Sequence, residues 1–379
     1  MDRLCTIIAQ NYLPQAMALL ESSRKIYPDI EFFILITDSE DGLEEFLPTA
    51  TILNLSDLEV NQEWIQEMKT FYDPVEFATA LKPFLLLTLL TSKTRTVTFL
   101  DPDVILFSEL SEGMSAGAEF GIALTPHRLT PSDITSAGYN EIGFLQYGIF
   151  NLGYICVGHE ALPMLNWWSE RLRWYCTRFP NDHIFTDQKW MNFIPALFNF
   201  KVIRNFGYDF APWNIDERPL RLNQGEFTAG DSKLVFIHFS QMSGDLASGR
   251  PTPLWSKTIT TSQEDMESFT LISQLTDEYS SKLIGFKDQI KRSQNNIDAI
   301  SKPKILGFHR RKNMIESSLA FTRGVKHKKK YSPHGFDSPS IFVKLNRRLE
   351  RSDTLNGLRF GLRKDSQRLA RKVRNFFQK

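Results

Sequence analysis

The sequence predicts an α/β protein with a doubly wound parallel sheet. Apolar residues 4–9 predict a buried strand, residues 13–26 carry apolar side chains at helical spacing, and residues 32–36 predict a second strand. A strand, a helix and a strand at this spacing are typical of parallel sheets. The turn Asp101-Pro102-Asp103 follows another apolar strand, at the end where α/β proteins bind ligands.

The later elements follow from local signals. Asp73-Pro74 predicts the start of a helix that runs to residue 90 with a kink at Pro83, because aspartate caps helices and proline fits their first turn. A stretch rich in Pro, Ser, Thr and Gly predicts a loop at 125–146. The other predicted elements are strands at 50–53, 96–100, 121–124, 148–157 and 235–239, and helices at 162–179, 187–198 and 262–293.

The chain has 379 residues, of which 42% are hydrophobic, so it can form a large core. Its charge is unevenly distributed. Residues 301–379 hold 22 Lys and Arg against 5 Asp and Glu, whereas the whole chain holds 45 and 44. We therefore predict a globular domain at 1–260, a helical extension at 261–300 and a basic tail at 301–379.

The cysteines and the hydropathy pattern predict a cytoplasmic protein. Cys5, Cys156 and Cys176 have neither the number nor the spacing of a disulfide framework or a zinc site. The N-terminus lacks the pattern of a secretory signal. The most apolar segment, residues 84–90, is much shorter than the ~20 residues that cross a bilayer.

Asp101-Pro102-Asp103 lies between two apolar runs, residues 97–100 and 104–107. Burying two carboxylates near a strand is costly unless a cation neutralises them. A hard divalent metal that holds a diphosphate would satisfy both groups. The alternative is a simple turn, since Asp and Pro both favour turns.

Three other segments are candidates for the same site. Asn151 and Gly153 end an apolar run, where a glycine permits close approach of a ligand. Asp187-Gln188 opens a predicted helix, and His238 ends a late strand. Taken singly, Asn151 could cap a turn, Asp187 could cap a helix, and His238 could be a core histidine.

Together these motifs resemble the retaining GT-A glycosyltransferases, and glycosyltransferase family 8 and related bacterial enzymes of surface-polysaccharide assembly in particular. The order is D-x-D after a strand, F-N-x-G, D-Q followed by Asn192, and a histidine that ends a late strand. The block Ala9-Gln10-Asn11-Tyr12 is similar to the family's nucleotide-base site, and Lys82 lies in the helix before D-x-D. The resemblance spans about residues 4–255.

The resemblance implies a GT-A fold and metal-dependent transfer of a hexose from a nucleotide sugar, a UDP-sugar, with retention. Mn²⁺ or Mg²⁺ would be held by Asp101, Asp103 and His238. Asp187 and Gln188 would position the donor sugar at the reacting carbon. The implied donor contacts are Ala9, Asn11, Tyr12, Lys82, Asn151, Gly153 and Arg250. The chain departs from the family in having Ala9 at an often acidic position, and a longer spacing between His238 and Arg250.

Other functions stay open at this point. The enzyme could be an inverting GT-A transferase, or a catalytically silent nucleotide-sugar-binding module with a scaffolding tail. A nucleotidylyltransferase is less consistent with the sequence, because no Gly-rich phosphate loop follows Ala9.

The basic tail suggests how the acceptor could be reached. Lys326 and residues 328–330 form a lysine run, and apolar residues recur at helical spacing among the arginines and lysines of 358–377. Such a helix can lie on anionic lipid, so we expect a glycan or lipid-linked acceptor and a peripheral location on the inner face of the membrane. A solvated tail is the alternative, and no motif favours nucleic acid.

Two further segments carry weaker signals. His127-Arg128 follows a strand, and an ordinary loop is the expectation there. The stretch around Asn205, Tyr208, Trp213 and Asn214 mixes aromatic rings with amides, a combination that suits contact with a sugar.

Overall fold

The computed structural model describes residues 1–38, 43–132, 140–178, 184–240 and 263–293. The α-helices are α1 (Leu13–Ile26), α2 (Gln62–Phe71), α3 (Pro74–Ala80), α4 (Lys82–Leu89), α5 (Ser111–Phe120), α6 (Glu141–Tyr147), α7 (Leu162–Leu172), α8 (Ile194–Leu197) and α9 (Gln263–Ser293). The strands are β1 (Asp2–Ile8), β2 (Glu31–Ile36), β3 (Thr51–Leu53), β4 (Thr96–Leu100), β5 (Val104–Leu106), β6 (Ile122–Pro126), β7 (Phe150–Val157), β8 (Lys201–Val202), β9 (Leu220–Asn223), β10 (Glu226–Ala229), β11 (Ser232–Lys233) and β12 (Phe236–His238).

Seven of the described strands form one sheet in the order β3-β2-β1-β4-β7-β6-β8. β1 lies parallel to β2 and β4, and β2 lies parallel to β3. β7 runs antiparallel to β4 and β6. Every residue of β4 and β7 is buried, as expected for strands covered on both faces. The predicted α/β class is confirmed, and the sheet is mainly parallel instead of wholly parallel because β7 runs against both of its neighbours.

The apolar residues after Asp101-Pro102-Asp103 form a strand outside the main sheet. β5 pairs antiparallel with β12, with Val104 opposite His238 and Leu106 opposite Phe236. The strand predicted at 235–239 is therefore present, and its partner is β5. This pairing brings the end of β12 to the turn that follows β4. A three-stranded antiparallel sheet, β11-β10-β9, lies between β8 and β12 in the sequence.

The helix predicted from Asp73 to residue 90 is two helices, α3 and α4, which meet at Leu81. Pro83 has no amide hydrogen to donate to residue 79, and this loss explains the interruption. The predicted start is confirmed: the Asp73 carboxylate accepts hydrogen bonds from the amides of Val75 and Glu76.

The prediction for α7 was too long, because the helix ends at Leu172 and not at residue 179. A side chain from another element ends it. The Tyr72 hydroxyl donates to the carbonyl of Leu172 at 2.7 Å and accepts from the amide of Cys176 at 2.9 Å. The hydroxyl thus stands between the Leu172 carbonyl and the Cys176 amide, two groups that would bond to each other in a continued helix. The helix predicted at 187–198 also differs from the prediction: it is a 3-10 helix, Gln188–Phe193, followed by the short helix α8.

The predicted elements did not include α2, α5 and α6, and all of α6 but its last residue falls in the loop predicted at 125–146. The α5 sequence contains Gly113 and Gly117, which weaken a helical pattern. Close packing on β7 explains both. A Cβ atom on Gly117 would lie 2.7 Å from the Cys156 sulfur, and one on Gly113 would overlap the Tyr154 hydroxyl. The glycines thus allow α5 to lie directly on the sheet.

Helix α9 is polar in sequence but contributes a buried face to the core. Ile272, Tyr279 and Leu283 are at most 4% exposed, and they share a hydrophobic cluster with Ile237 and Phe239. Lys282 also forms an ion pair with Glu21 on α1 at 2.9 Å. The domain boundary near residue 260 stays a prediction, and the described part of the extension packs like a core helix.

None of the helices in the described ranges is long and apolar enough to cross a membrane. The basic run at Lys326 and residues 328–330, and the amphipathic pattern of 358–377, lie outside the described residues. The role of the tail therefore stays a prediction.

Neighbouring residues on α9 provide a test of this packing. We expect Leu283→Ala to lower the free energy of unfolding by about 2–5 kcal/mol, because Leu283 is fully buried. Ile284→Ala is the matched control: Ile284 is 41% exposed, and we expect a change within about 0.5 kcal/mol. Urea denaturation measures both. Equal effects of the two variants would contradict the packing of α9 against the core.

Candidate metal and donor site

The two carboxylates of the D-x-D motif lie on a turn between β4 and β5. The amide of Asp101 donates to the Gly153 carbonyl at 2.9 Å, and the amide of Val104 donates to the Asp101 carbonyl at 3.1 Å. The carbonyl of Asp103 accepts from the amide of Phe239 at 2.8 Å. The turn is thus fixed to β7 on one side and to the end of β12 on the other.

His238 reaches the same turn because β12 pairs with β5. Its ring nitrogen Nε2 lies 3.2 Å from Asp103 Oδ1 and 3.9 Å from Asp101 Oδ2. Ligand atoms of Asp101, Asp103 and His238 all lie within 4.8 Å of one another. The structure therefore brings together the three residues that the sequence predicted as metal ligands. Two carboxylates and an imidazole suit Mn²⁺ or Mg²⁺, although imidazole favours the former.

Lys82 joins this cluster to the Asp187 segment. Its ammonium group lies 3.2 Å from Asp101 Oδ1, 2.9 Å from Asp187 Oδ2, and 2.7 Å from the Leu152 carbonyl, to which it donates. The Lys82 side chain is only 3% exposed. Sequence reasoning placed all three charged residues in one site, and the structure places them in direct contact.

Asp187 and Gln188 occupy the start of the 3-10 helix before α8. Thr186, which precedes them, has a positive φ of 45°, and this turn directs the buried Asp187 carboxylate at Lys82. Gln188 is half-buried, and its side-chain amide donates to the Tyr147 carbonyl at 2.9 Å. Asn192 accepts from the amide of Ile149 at 3.0 Å. The D-Q segment is therefore tied to the chain just before β7.

Asn151 and Gly153 face His238 in this structure. The side-chain oxygen of Asn151 accepts from the Gly153 amide at 2.8 Å and lies 3.2 Å from His238 Nδ1. A Cβ atom on Gly153 would overlap the His238 ring. The glycine was expected to give room to a ligand, and here it gives room to the histidine. The contact of both residues with a donor stays a prediction.

After β1, Ala9 precedes a short 3-10 helix, Gln10–Tyr12. Asn11 is exposed, whereas Ala9 and Tyr12 are half-buried. The amide of Gln10 donates to the Asp38 carboxylate at 3.0 Å. Asp38 follows β2, so the fold supplies this block with an acid although position 9 is an alanine. Arg250, the remaining predicted donor contact, lies outside the described residues.

Two residues near the cluster were not singled out as site residues. Asp209 is fully buried, and its carboxylate lies 3.5 Å from His238 Nδ1. His127, expected in an ordinary loop, is buried against Phe144 and Trp213, with Nε2 3.4 Å from the Asn151 amide nitrogen. Asp209 sits in the stretch of aromatics and amides, and no local signal in the sequence links it to His238.

The stretch that suggested sugar contact packs behind the site. Tyr208, Trp213 and Asn214 are at most 5% exposed, and the Trp213 ring meets the His238 ring edge to face at 5.2 Å. The Asn214 side chain donates to the carbonyls of His127 and Asp209. Trp213 therefore packs directly on His238, and Asn214 ties the neighbouring His127 and Asp209 backbone together.

Burial and charge shift several ionisation equilibria. Burial disfavours charge on Lys82 and His238, but neighbouring carboxylates outweigh it. The carboxylates of Asp101 and Asp187 raise the pKa of Lys82. The carboxylates of Asp103 and Asp209 raise the pKa of His238 to about 10. Burial raises the pKa of Asp101, although Lys82 opposes the shift. Burial also raises the pKa of Asp209 and lowers that of His127 to about 3. For both cationic side chains, the attraction of neighbouring carboxylates thus outweighs the cost of burial.

No family model matches the chain. A relative by sequence is "Uncharacterized protein YfnF" of Bacillus subtilis (strain 168), which is 27% identical over 243 residues. That match covers 62% of this chain and 80% of the relative.

Three solved structures resemble the chain at low similarity. Galactosyltransferase LgtC, in complex with donor and acceptor sugar analogues, is 15% identical with a TM-score of 0.40, over 71% of this chain and 100% of LgtC. Mouse xyloside xylosyltransferase 1 is 10% identical with a TM-score of 0.41, over 64% and 99%. Glycosyltransferase GlyE of Streptococcus pneumoniae is 11% identical with a TM-score of 0.41, over 76% and 64%. At these scores the likenesses establish no function.

Gly153 provides a test of how tightly His238 is held. We expect Gly153→Ala to lower the free energy of unfolding by about 1–3 kcal/mol, because the new Cβ would overlap the buried imidazole. Gly143→Ala, in α6, is the control. A Cβ atom there would meet nothing within 4 Å, and alanine should stabilise the helix by roughly 0.5–1 kcal/mol. Thermal denaturation distinguishes the two. A neutral Gly153→Ala would contradict this contact.

Lys82 provides a test of the buried ion pairs. We expect Lys82→Met to cost about 3–5 kcal/mol of stability, because it leaves buried carboxylates without a partner. The double variant Lys82→Met/Asp187→Asn removes a carboxylate as well and should recover part of the loss. Denaturation of both variants measures the coupling. If the second change gave no recovery, the Lys82–Asp187 contact would not be energetically significant.

Proposed function

We propose that this chain is a metal-dependent glycosyltransferase of GT-A fold that transfers a hexose from a nucleotide sugar with retention. One observation carries the proposal: Asp101, Asp103 and His238 converge within 4.8 Å at the end of β4, at the ligand-binding edge of an α/β sheet. The motif order in the sequence supports the same function. The resemblance to family 8 supports a UDP-sugar as the donor.

The metal ligands would be Asp101 and Asp103 through carboxylate oxygens and His238 through Nε2. The orientation of the ring supports this assignment, because Nδ1 faces Asn151 and Asp209 and leaves Nε2 toward the D-x-D turn. Mn²⁺ or Mg²⁺ bound there would act as a Lewis acid that stabilises the leaving diphosphate. The buried negative charge of the cluster supports a divalent cation.

The residues around the cluster suggest how the donor is held. Asp187 is directed by its contact with Lys82, and Gln188 is anchored to Tyr147, so both can position a sugar beside the metal. Ala9, Asn11 and Tyr12 would bind the base, with the Asp38 carboxylate at the same block. Asn151 and Gly153 would line the donor site behind His238. The role of Arg250 in binding the diphosphate rests on the sequence resemblance.

The acceptor and the location also rest on the sequence. A bacterial surface glycan or a lipid-linked glycan is the proposed acceptor, and the basic tail would hold the enzyme at an anionic membrane on the cytoplasmic side. Amphipathic basic helices bind such surfaces through combined apolar burial and electrostatic attraction. Flotation with anionic liposomes, with and without residues 320–379, tests the tail. Equal recovery of both proteins would overturn the membrane role.

The metal assignment is tested by donor hydrolysis. We expect the unmodified protein to hydrolyse at least one of a panel of nucleotide sugars slowly with Mn²⁺, and chelation to abolish the reaction. Asp103→Asn should lower the rate by at least about 100-fold, because the diphosphate then loses its metal. Asp231→Asn, an exposed residue between β10 and β11, should leave it unchanged. Unimpaired hydrolysis by the Asp103 variant would contradict the assignment of Asp103 as a metal ligand.

The rival functions give different results in the same assay. An inverting enzyme would release the opposite anomer, which NMR of the first-formed product detects. A silent binding module would bind UDP-sugar and Mn²⁺ without turnover. Retention is supported by the family resemblance. Because the Gln188 amide is a poor nucleophile, attack from the front face fits this chain better than a stable covalent intermediate.

A further inference from the structure

Asp209 adopts a backbone conformation that is unusual for a residue other than glycine. Its φ is +56°, in the left-handed region, which costs about 1 kcal/mol or more for most side chains and less for Asp and Asn. It is also fully buried. A buried carboxylate in a strained conformation lowers stability unless it has a partner, and such residues are concentrated at functional sites.

The surrounding hydrogen bonds keep Asp209 in this conformation. The Asn214 side chain donates to the Asp209 carbonyl at 2.8 Å, and Arg218 donates to the Tyr208 carbonyl at 2.7 Å. The next residue, Phe210, donates its amide to the Phe236 carbonyl at 3.2 Å and accepts from the amide of His238 at 2.9 Å. The Asp209 segment is thus bonded on both sides, and directly to the strand that carries His238.

The Asp209 carboxylate faces one edge of the His238 ring, while the proposed metal ligands face the other. Asp209 Oδ1 lies 3.5 Å from Nδ1, and Asp103 Oδ1 lies 3.2 Å from Nε2. A histidine that ligates through one nitrogen generally presents its other N–H to a carboxylate or carbonyl, and this partner fixes the tautomer and strengthens the ligand. Here the Asn151 side-chain oxygen lies within hydrogen-bond distance of Nδ1, and the Asp209 carboxylate is the charged group beside the same edge of the ring.

We propose that Asp209 is a positioning residue that holds the His238 proton on Nδ1 and directs the Nε2 lone pair at the D-x-D turn. The inference rests on the proposed metal site and adds a residue that the motifs do not include. Asn151 Oδ1, at 3.2 Å from Nδ1, accepts the hydrogen bond from this proton. Asn151 is neutral, so Asp209 is the partner that supplies negative charge to the imidazole.

The experiment replaces the charge and keeps the shape. Asp209→Asn retains an oxygen acceptor, and asparagine tolerates the left-handed conformation as well as aspartate does. Titration of the full chain with Mn²⁺, followed by the EPR signal of the free ion, measures affinity without any turnover. We expect the dissociation constant to rise about 10- to 100-fold, the usual effect of removing such a partner.

Thermal denaturation separates positioning from a merely structural role. Asp209→Asn removes one partner of a buried charged pair and should lower the midpoint without metal, but added Mn²⁺ should raise its midpoint much less than that of the unmodified protein, whereas for a merely structural residue Mn²⁺ would raise both midpoints equally. Asp216→Asn is the matched control, because Asp216 lies on the same segment and pairs with Arg128 at 2.6 Å. We expect it to bind Mn²⁺ as the unmodified protein does.

A second variant guards against misfolding. Asp209→Gly removes the carboxylate and relieves the positive φ, and we expect the same loss of Mn²⁺ affinity from it. If either folded variant bound Mn²⁺ as tightly as the unmodified protein, the inference alone would be overturned. If the unmodified protein bound no Mn²⁺, or bound it equally after Asp103→Asn, the proposed metal site would be overturned together with the inference.

Discussion

Buried negative charge at the end of β4 is the constraint on which the site depends. Four carboxylates lie within contact distance of Lys82 or His238, those of Asp101, Asp103, Asp187 and Asp209. Asp187 and Asp209 are almost fully buried. Lys82 supplies one positive charge, and His238 adds another only while it is protonated. Since unpaired carboxylates are costly away from water, a further cation is the simplest way to balance the site. The same imbalance suits the proposed binding of a diphosphate through a divalent metal.

The antiparallel pairing of β5 with β12 brings His238 to these carboxylates. Val104 lies opposite His238, so the histidine is adjacent to Asp103 although they are far apart in sequence. A shift of one residue in register would turn the imidazole to the opposite face of the ladder. The amide of Phe239 bonds to the Asp103 carbonyl and the amide of His238 bonds to Phe210, which fixes the register from both sides. Helix α9 then packs on the adjoining Ile237 and Phe239, so the last described helix supports the strand that carries the ligand.

Sequence reasoning succeeded where a signal is local. Strand–helix alternation predicted the α/β class, helix α1 was predicted with the bounds that it has, and the acids and histidine of the cluster were found from motif order. The misses depend on tertiary contacts. Helix α5 was not predicted because Gly113 and Gly117 disfavour a helix, and only the packing on β7 explains them. The buried face of α9 could not be recognised among its polar residues. Asp209 was overlooked because its left-handed conformation and its contact with His238 arise only from the fold.

Lys82 illustrates how placement limits the role of a predicted residue. An ammonium group has three protons to donate, and the Leu152 carbonyl, Asp187 and Asp101 lie 2.7, 2.9 and 3.2 Å from Nζ. The Leu152 carbonyl accepts one of these protons, and the two carboxylates surround the ammonium group as ion-pair partners. A direct hydrogen bond from Lys82 to a donor sugar would require one of these partners to be released. Asp101 is the farther and the more exposed of the two carboxylates, so it is the one that a metal would draw away. In the arrangement that the structure has, the positive charge of Lys82 acts on the site by holding two carboxylates at a fixed separation, much as Asp209 holds His238.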